Sequence, residues 1–278
     1  MKNKYSENTL YLFPILLVFY EISNYLANDA YLPAMPAIAK ELGTTNDLIQ
    51  LTLTAFFLGN STMQLILGPI ADRYGRRKLL LSGGVIFIVT TLLCAFCNNV
   101  HTLLITRFFQ GSAVTSIIIA GYATIHALYD QIRAIKTLSW MNSVTVLAPT
   151  LGPLLGAGIL LIADWRWIFI ILSIWASIGW IALFRFMPET CEAYLPIRPK
   201  EILNQYYRVL KNWQFMKPIL AVSLSFSALI AWITAGPFLM MNTFHYSPLG
   251  FGVLQGLVFS SIILGNQLVR RIIENLLR

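Results

Sequence analysis

The chain predicts an all-α polytopic membrane protein, and three observations carry that reading. Across 278 residues, 57% are hydrophobic and only 12% are charged, whereas a soluble domain carries about 25% charge. Apolar stretches of about 20 residues, the helical length that crosses a ~30 Å hydrocarbon layer, recur along the whole sequence. Lys and Arg gather in alternate loops between those stretches. The alternating ten-residue pattern of an outer-membrane barrel is absent, so the expected location is a bacterial inner (plasma) membrane, crossed several times.

Eight spans are expected, at 11–32, 48–70, 79–98, 102–124, 138–162, 166–187, 216–240 and 249–269. The first follows the basic Met1-Lys-Asn-Lys start. Glu21 interrupts its apolar run and no small-x-small cleavage site follows, so it reads as a span and not as a signal peptide. The third carries Cys94-x-x-Cys97, which has no second pair and reads as small packing residues instead of a four-ligand zinc site. Cys191 stands alone in a loop, so no disulfide is expected. His101, His126 and His245 fall near span ends and read as solvated. The loop from Pro188 to Phe215 separates six spans from two. Within it, Ile202, Tyr206, Val209, Leu210 and Trp213 share one helical face with basic residues opposite, which predicts an amphipathic helix on the inner leaflet.

Orientation follows from the charges. With the N-terminus inside, seventeen of the 20 Lys and Arg lie on the inner side, two (Lys40 and Arg166) lie outside, and Arg107 lies within a span. The bias assigns a cytoplasmic N-terminus. It also accounts for the net charge of +8 without nucleic acid as a partner. No phosphate loop, nucleophile triad or metal cluster is visible. The chain is expected to be no enzyme, to need no cofactor and to hold no metal.

Three motifs stand out. The inner loop after the second span reads Gly68-Pro-Ile-Ala-Asp72-Arg73-Tyr74-Gly75-Arg76-Arg77-Lys78. Gly68 is expected to allow close helix approach and Gly75 a tight turn. Topology explains the cations but not the Asp among them. Span four has Leu103-x3-Arg107-Phe-Phe-Gln110-Gly111. Span five has Ala148-Pro149-Thr-Leu-Gly152-Pro153-Leu-Leu-Gly156-Ala157, a Pro-kinked helix of small residues suited to a moving seam.

Together these resemble the major facilitator superfamily. The loop resembles its signature, span four its buried-arginine motif, and span five the element of its antiporters. Tyr20-Glu21-x3-Tyr25-x2-Asn28-Asp29 in span one and Ala231-Trp-Ile in span seven narrow the resemblance to the drug–proton antiporter branch. The resemblance implies a six-helix bundle over 1–188, a cytoplasmic linker over 189–215 and part of a second bundle over 216–278. It implies export of lipophilic or cationic drugs, typically chloramphenicol, against protons across the lipid bilayer. Members of that family have about twelve spans, so the chain reads as C-terminally truncated, with little efflux expected from it alone. The other readings are a non-transporting membrane protein and a sugar or metabolite symporter.

The residue chemistry is argued separately. A charge at the centre of a span costs at least about 2.5 kcal/mol, and the first span carries two carboxylates. Glu21 and Asp29 are eight residues apart, about 80° around a helix and ~12 Å along it, so both are expected to open on one cavity at different depths. Arg107 lies at the depth of Asp29 and is expected to pair with it, holding it ionised when close and releasing it when displaced. These three are the expected proton-coupling groups. Tyr25, Asn28 and Met141 are the expected substrate contacts, since aromatic and Met side chains adapt to varied lipophilic molecules. Asp72 is expected to support the closed inner side, and in this chain Asp72 and its neighbouring arginines are expected to be solvent-accessible or paired only among themselves.

Overall fold

A computed structural model describes residues 7–145, 147–191 and 198–261, and among these the regular structure is helical. Seven helices are long and apolar enough to cross a membrane. They run Asn8–Glu41, Asn46–Tyr74, Arg76–Ala95, Val100–Leu128, Gln131–Leu160, Arg166–Phe186 and Trp213–Thr243, and are called spans one to seven below. The eighth expected span corresponds to the shorter apolar helix Pro248–Ser261. The rest of its expected range, to 269, lies outside the described residues, as do the N-terminal lysines and residues 192–197 of the linker.

The expected spans are shorter than the helices at several ends. Span one continues past Asp29 through a 3₁₀ turn at Leu32–Ala34 into a last helical stretch, Met35–Glu41. Pro33 and Pro36 sit in the first turns of those two pieces, where a missing N–H costs nothing. Span two begins at Asn46 because the Thr45 hydroxyl caps it, accepting from Leu48 N–H at 3.4 Å. It ends at Gly75, whose φ of +98° needs a residue without a Cβ. Span four starts the same way, with Asn99 Oδ1 accepting from Thr102 N–H at 2.9 Å. Span four is not α-helical throughout, because Ile117–Gly121 forms a π turn.

Spans one to six pack through glycines. A Cβ on Gly111 would strike the Phe56 carbonyl of span two, and one on Gly59 the Phe108 carbonyl of span four. Gly83 of span three meets Ser116, and Gly179 of span six meets Tyr20. In a membrane, where lipid is as apolar as Leu, such close approach supplies the packing. Gly68 differs from expectation: nothing lies within 4 Å of where its Cβ would be. The close approach of span two is made one face away, at Gly59.

The linker holds the helix Pro199–Lys211, whose Ile202 and Tyr206 are half-buried while Leu203, Tyr207 and Leu210 are exposed. Tyr206 hydroxyl donates to Leu65 O of span two at 2.7 Å. Only Asn212 separates this helix from span seven, and its side chain caps the new helix at Phe215 N–H.

Candidate functional site

Span one presents Glu21, Asn24, Tyr25, Asn28 and Asp29 within nine residues. At 100° per residue these fill one side of the helix. All are buried except Tyr25, which is 38% exposed. Span four supplies Arg107 near its N-terminal end and Tyr122 beyond the π turn. Tyr122 hydroxyl donates to Glu21 Oε1 at 2.7 Å.

Arg107 is fully buried. Its Nη1 donates to Ala27 O at 3.0 Å and to Gln110 Oε1 at 2.7 Å, and Nη2 donates to Asn28 Oδ1 at 3.4 Å. The guanidinium lies between two rings, 4.7 Å from the centre of Tyr31 and 4.6 Å from that of Phe56. Cation–π contacts of this kind are worth about 2 kcal/mol each when desolvated. Gln110 passes the network to span three, donating to Thr91 Oγ1 at 2.8 Å. Tyr31 and Thr52 share a hydrogen bond of 2.9 Å, which adds span two.

The expected ion pair between Asp29 and Arg107 is not formed in this structure. Asn28 stands between them, accepting from Arg107 and donating from Nδ2 to Asp29 Oδ1 at 3.4 Å. The reason is azimuth. Asp29 is about 100° further round span one than Asn28 and sits under span five. A Cβ on Gly152 would lie 2.6 Å from Asp29 Cβ, and one on Gly156 would strike Ala30 O. The span-five motif thus brings its glycines onto the backbone that carries the carboxylate. Pro153 faces the last helix, with its carbonyl 3.1 Å from where a Gly252 Cβ would be, and Pro149 lies in the first turn of Leu147–Leu160. Met141 also departs from expectation: it is fully buried in the hydrophobic core and lines no open surface.

At the turn between spans two and three, Asp72 and Arg73 are exposed. Arg76 and Arg77 depart from the expectation that the loop's arginines are exposed or paired only among themselves, because both reach the ends of neighbouring spans. Arg76 Nη1 donates to Ala123 O at 2.9 Å and Thr190 Oγ1 at 3.3 Å, and Arg77 Nη2 donates to Phe184 O at 2.7 Å. The organiser of this corner is Glu189, which sequence reasoning missed. Its Oε1 accepts from Arg76 N–H at 3.1 Å and Cys191 N–H at 3.0 Å, and its Oε2 from Arg77 N–H at 3.2 Å. The carboxylate therefore caps span three at the N-terminus left bare by Gly75, where the helix dipole favours negative charge. The only sequence signal was an acid three residues beyond the end of span six.

Among the described residues, no group of three or more His, Cys, Asp or Glu is placed to hold a metal. Cys94 and Cys97 are buried against Thr106. On the outer face Glu41 ties the end of span one to the start of span six, accepting from Trp165 Nε1 at 2.7 Å and pairing with Arg166.

Comparison with known proteins places this geometry. Residues 17–277 match the sequence model of the Major Facilitator Superfamily. The chain is 34% identical over 264 residues to the multidrug transporter MdfA of Yersinia pestis bv. Antiqua (strain Angola), covering 94% of this chain and 64% of that protein. It is 35% identical over 262 residues to MdfA of Escherichia coli O157:H7, with the same coverage. It is 31% identical over 268 residues to the chloramphenicol resistance protein CraA of Acinetobacter baumannii (strain ATCC 19606), covering 96% of this chain and 65% of that one. The chain thus spans a little under two thirds of the length of these relatives. Among solved structures, a bacterial homolog of the human lysosomal transporter Spinster, inward-facing and unoccupied, superposes with a TM-score of 0.74 at 14% identity, covering 94% of this chain and 62% of that one. The human organic anion transporter MFSD10 gives 0.67 at 16% identity, with 90% and 70% covered. At such identities the match speaks for the fold.

Proposed function

Since the chain belongs to the major facilitator superfamily, we propose that it serves proton-coupled export of lipophilic or cationic drugs across a bacterial inner membrane. The N-terminus is cytoplasmic, with the six-helix bundle over 1–188, the linker over 189–215 and residues 216–278 in a second bundle. The observation that carries the reading is a pair of carboxylates buried in one span. Glu21 and Asp29 are 3% and 4% exposed. An intramembrane acid is costly to bury and is by default a functional group. Neither carboxylate is neutralised by a direct ion pair here, so each is free to change its protonation. The relatives named multidrug transporter and chloramphenicol resistance protein supply the substrate class. The cations on the inner loops supply the orientation.

Glu21 and Asp29 carry the protons, and Tyr25 and Asn28 border the drug. Arg107, held by neutral acceptors and ring faces, keeps a fixed positive charge one residue away from Asp29. A shift of span four that removed Asn28 from between them would bring the charges together and favour proton loss. The moving seam is that of Gly152 and Gly156. The test is drug-triggered proton release in reconstituted vesicles. Neutralising Glu21→Gln or Asp29→Asn should reduce release at least tenfold with the protein still inserted, the effect of removing a required proton carrier. Unchanged release in both variants would overturn the assignment.

A further inference from the structure

We propose that Asn24 holds a buried hydration site that carries protons between Glu21 and the Asn28–Asp29 pair. The inference rests on the proton-coupled reading above. Asn24 is 3% exposed, and neither its Oδ1 nor its Nδ2 has a partner in the protein. Glu21 Oε2 is likewise buried with no protein partner. Burying an amide or carboxyl group without a hydrogen-bond partner is costly, so a chain keeps one where something else engages it.

These atoms are neighbours. Residues three and four apart on a helix stand about 5–6 Å from one another at Cβ. Glu21, Asn24 and Asn28 therefore form a ladder along one side of span one. The surroundings show where that side looks. Tyr20 packs edge-on against Phe87 of span three at 6.2 Å, and Leu17 lies 3.0 Å from where a Cβ on Gly121 of span four would be. Asn24 therefore points between spans three and four. The upper rung, Asn28, already joins Arg107 to Asp29. The lower rung, Glu21, already accepts from Tyr122. Asn24 is the rung whose side chain makes no hydrogen bond among the described residues.

A second feature sits beside the lower end of this ladder, where Gly121 meets Leu17 and Tyr122 meets Glu21. Span four turns from α to π over Ile117–Gly121, immediately before Tyr122. Single π turns inside helices recur at functional sites. Glu21 Oε2 and Asn24 Oδ1 can each accept a hydrogen bond and Asn24 Nδ2 can donate two, and all three atoms are buried without a partner among the described residues. Buried water typically makes about three hydrogen bonds to such groups.

Glu21 and Asp29 are about 12 Å apart along the helix, too far for direct transfer. With water on Asn24 the step balances. Protonated Glu21 gives its proton to the water on Asn24 as that water passes one of its own to a second water, and the second water protonates the Asp29 carboxylate. Each O–H bond broken is matched by one formed, the Asn28 amide keeps its protons, and no electrons are exchanged. The Asn24 amide orients the water and keeps its own protons. It is a positioning residue.

The experiment measures the rate of proton release from the purified full chain in detergent after mixing with chloramphenicol. Asn24→Leu fills the volume without polar atoms, and Asn24→Thr keeps one donor and one acceptor. We expect Asn24→Leu to slow release about tenfold, the rate equivalent of one lost buried hydrogen bond, with chloramphenicol affinity unchanged within about twofold. Asn24→Thr should release within about threefold of wild type, since its hydroxyl still engages water. Thermal melting checks that each variant is folded, and Asn24→Ala replaces the Leu variant if that one does not insert. Release at the wild-type rate in the apolar variant overturns the relay and leaves proton coupling standing. A Thr variant as slow as the apolar one also overturns it, because the position would then act through packing. A wild-type chain that releases no protons overturns the proton-coupled reading, and the relay with it.

Discussion

Span four and span seven are both long apolar helices, of 29 and 31 residues, yet the protein treats them differently. More than half of span four's apolar window is buried, 56%, against 11% for span seven. Span four meets spans one, two and three through glycine seams and an arginine network. Span seven touches the described protein mainly toward its C-terminal end, where Ile233, Gly236, Pro237 and Phe238 are buried. Its middle serines bond their own backbone, Ser225 to Ala221 O at 3.1 Å and Ser227 to Leu224 O at 2.7 Å. Apolarity sets whether a helix enters the bilayer, and small residues stabilise it there only where a neighbouring backbone comes close enough to meet them.

Glycine gives the largest test of that contrast. Gly111→Leu should abolish folded protein in detergent, because its side chain would have to occupy the Phe56 carbonyl; overpacking where backbone cannot yield costs well over about 3 kcal/mol. Gly68→Ala, with open space around it, should melt like wild type. Equal melting of the two variants by size-exclusion fluorescence would break the seam argument.

Glu189→Ala should be intermediate. It removes an acceptor for three backbone N–H groups at the start of span three and in the following loop. Loss of a helix cap costs about 1–2 kcal/mol, and we expect a lower melting temperature together with faster proteolysis of the inner loop at Arg76 and Arg77. Proteolysis unchanged from wild type would show that the corner is held by the arginine side chains alone. The smallest effect is expected for Leu224→Ala in span seven. Leu224 is 72% exposed, and surface changes away from special features stay within about 0.5 kcal/mol. A larger loss in detergent would mean that this face of span seven is packed in solution.

The spans were legible because transfer into lipid reads composition and length, and both are local. Gly75 was legible because a helix stop between two spans demands a left-handed residue. The linker helix was legible because its two faces differ in chemistry. The interior of the site was not. Asp29 and Arg107 match in depth, and depth follows from counting residues. Their failure to pair depends on azimuth, which the Gly152 seam against Asp29 decides. Glu189 stayed hidden because it acts on backbone amides 113 and 112 residues away, which leave no mark in side-chain pattern. Asn24 stayed hidden because a polar residue between Glu21 and Asn28 is unremarkable until its lack of protein partners is seen.

The π turn has a consequence for how span four is aimed. A turn that takes in one extra residue sets back everything after it by about 100° relative to an unbroken α-helix. Span four therefore has two phases. The stretch through Ser116 is clocked so that Arg107 meets Asn28, and the stretch from Tyr122 is clocked so that the phenol meets Glu21. Deleting one residue from Ile117–Gly121 would bring the two halves into a single phase and swing Tyr122 about a quarter turn off Glu21. A single surplus residue lets one rod address two depths of its neighbour independently.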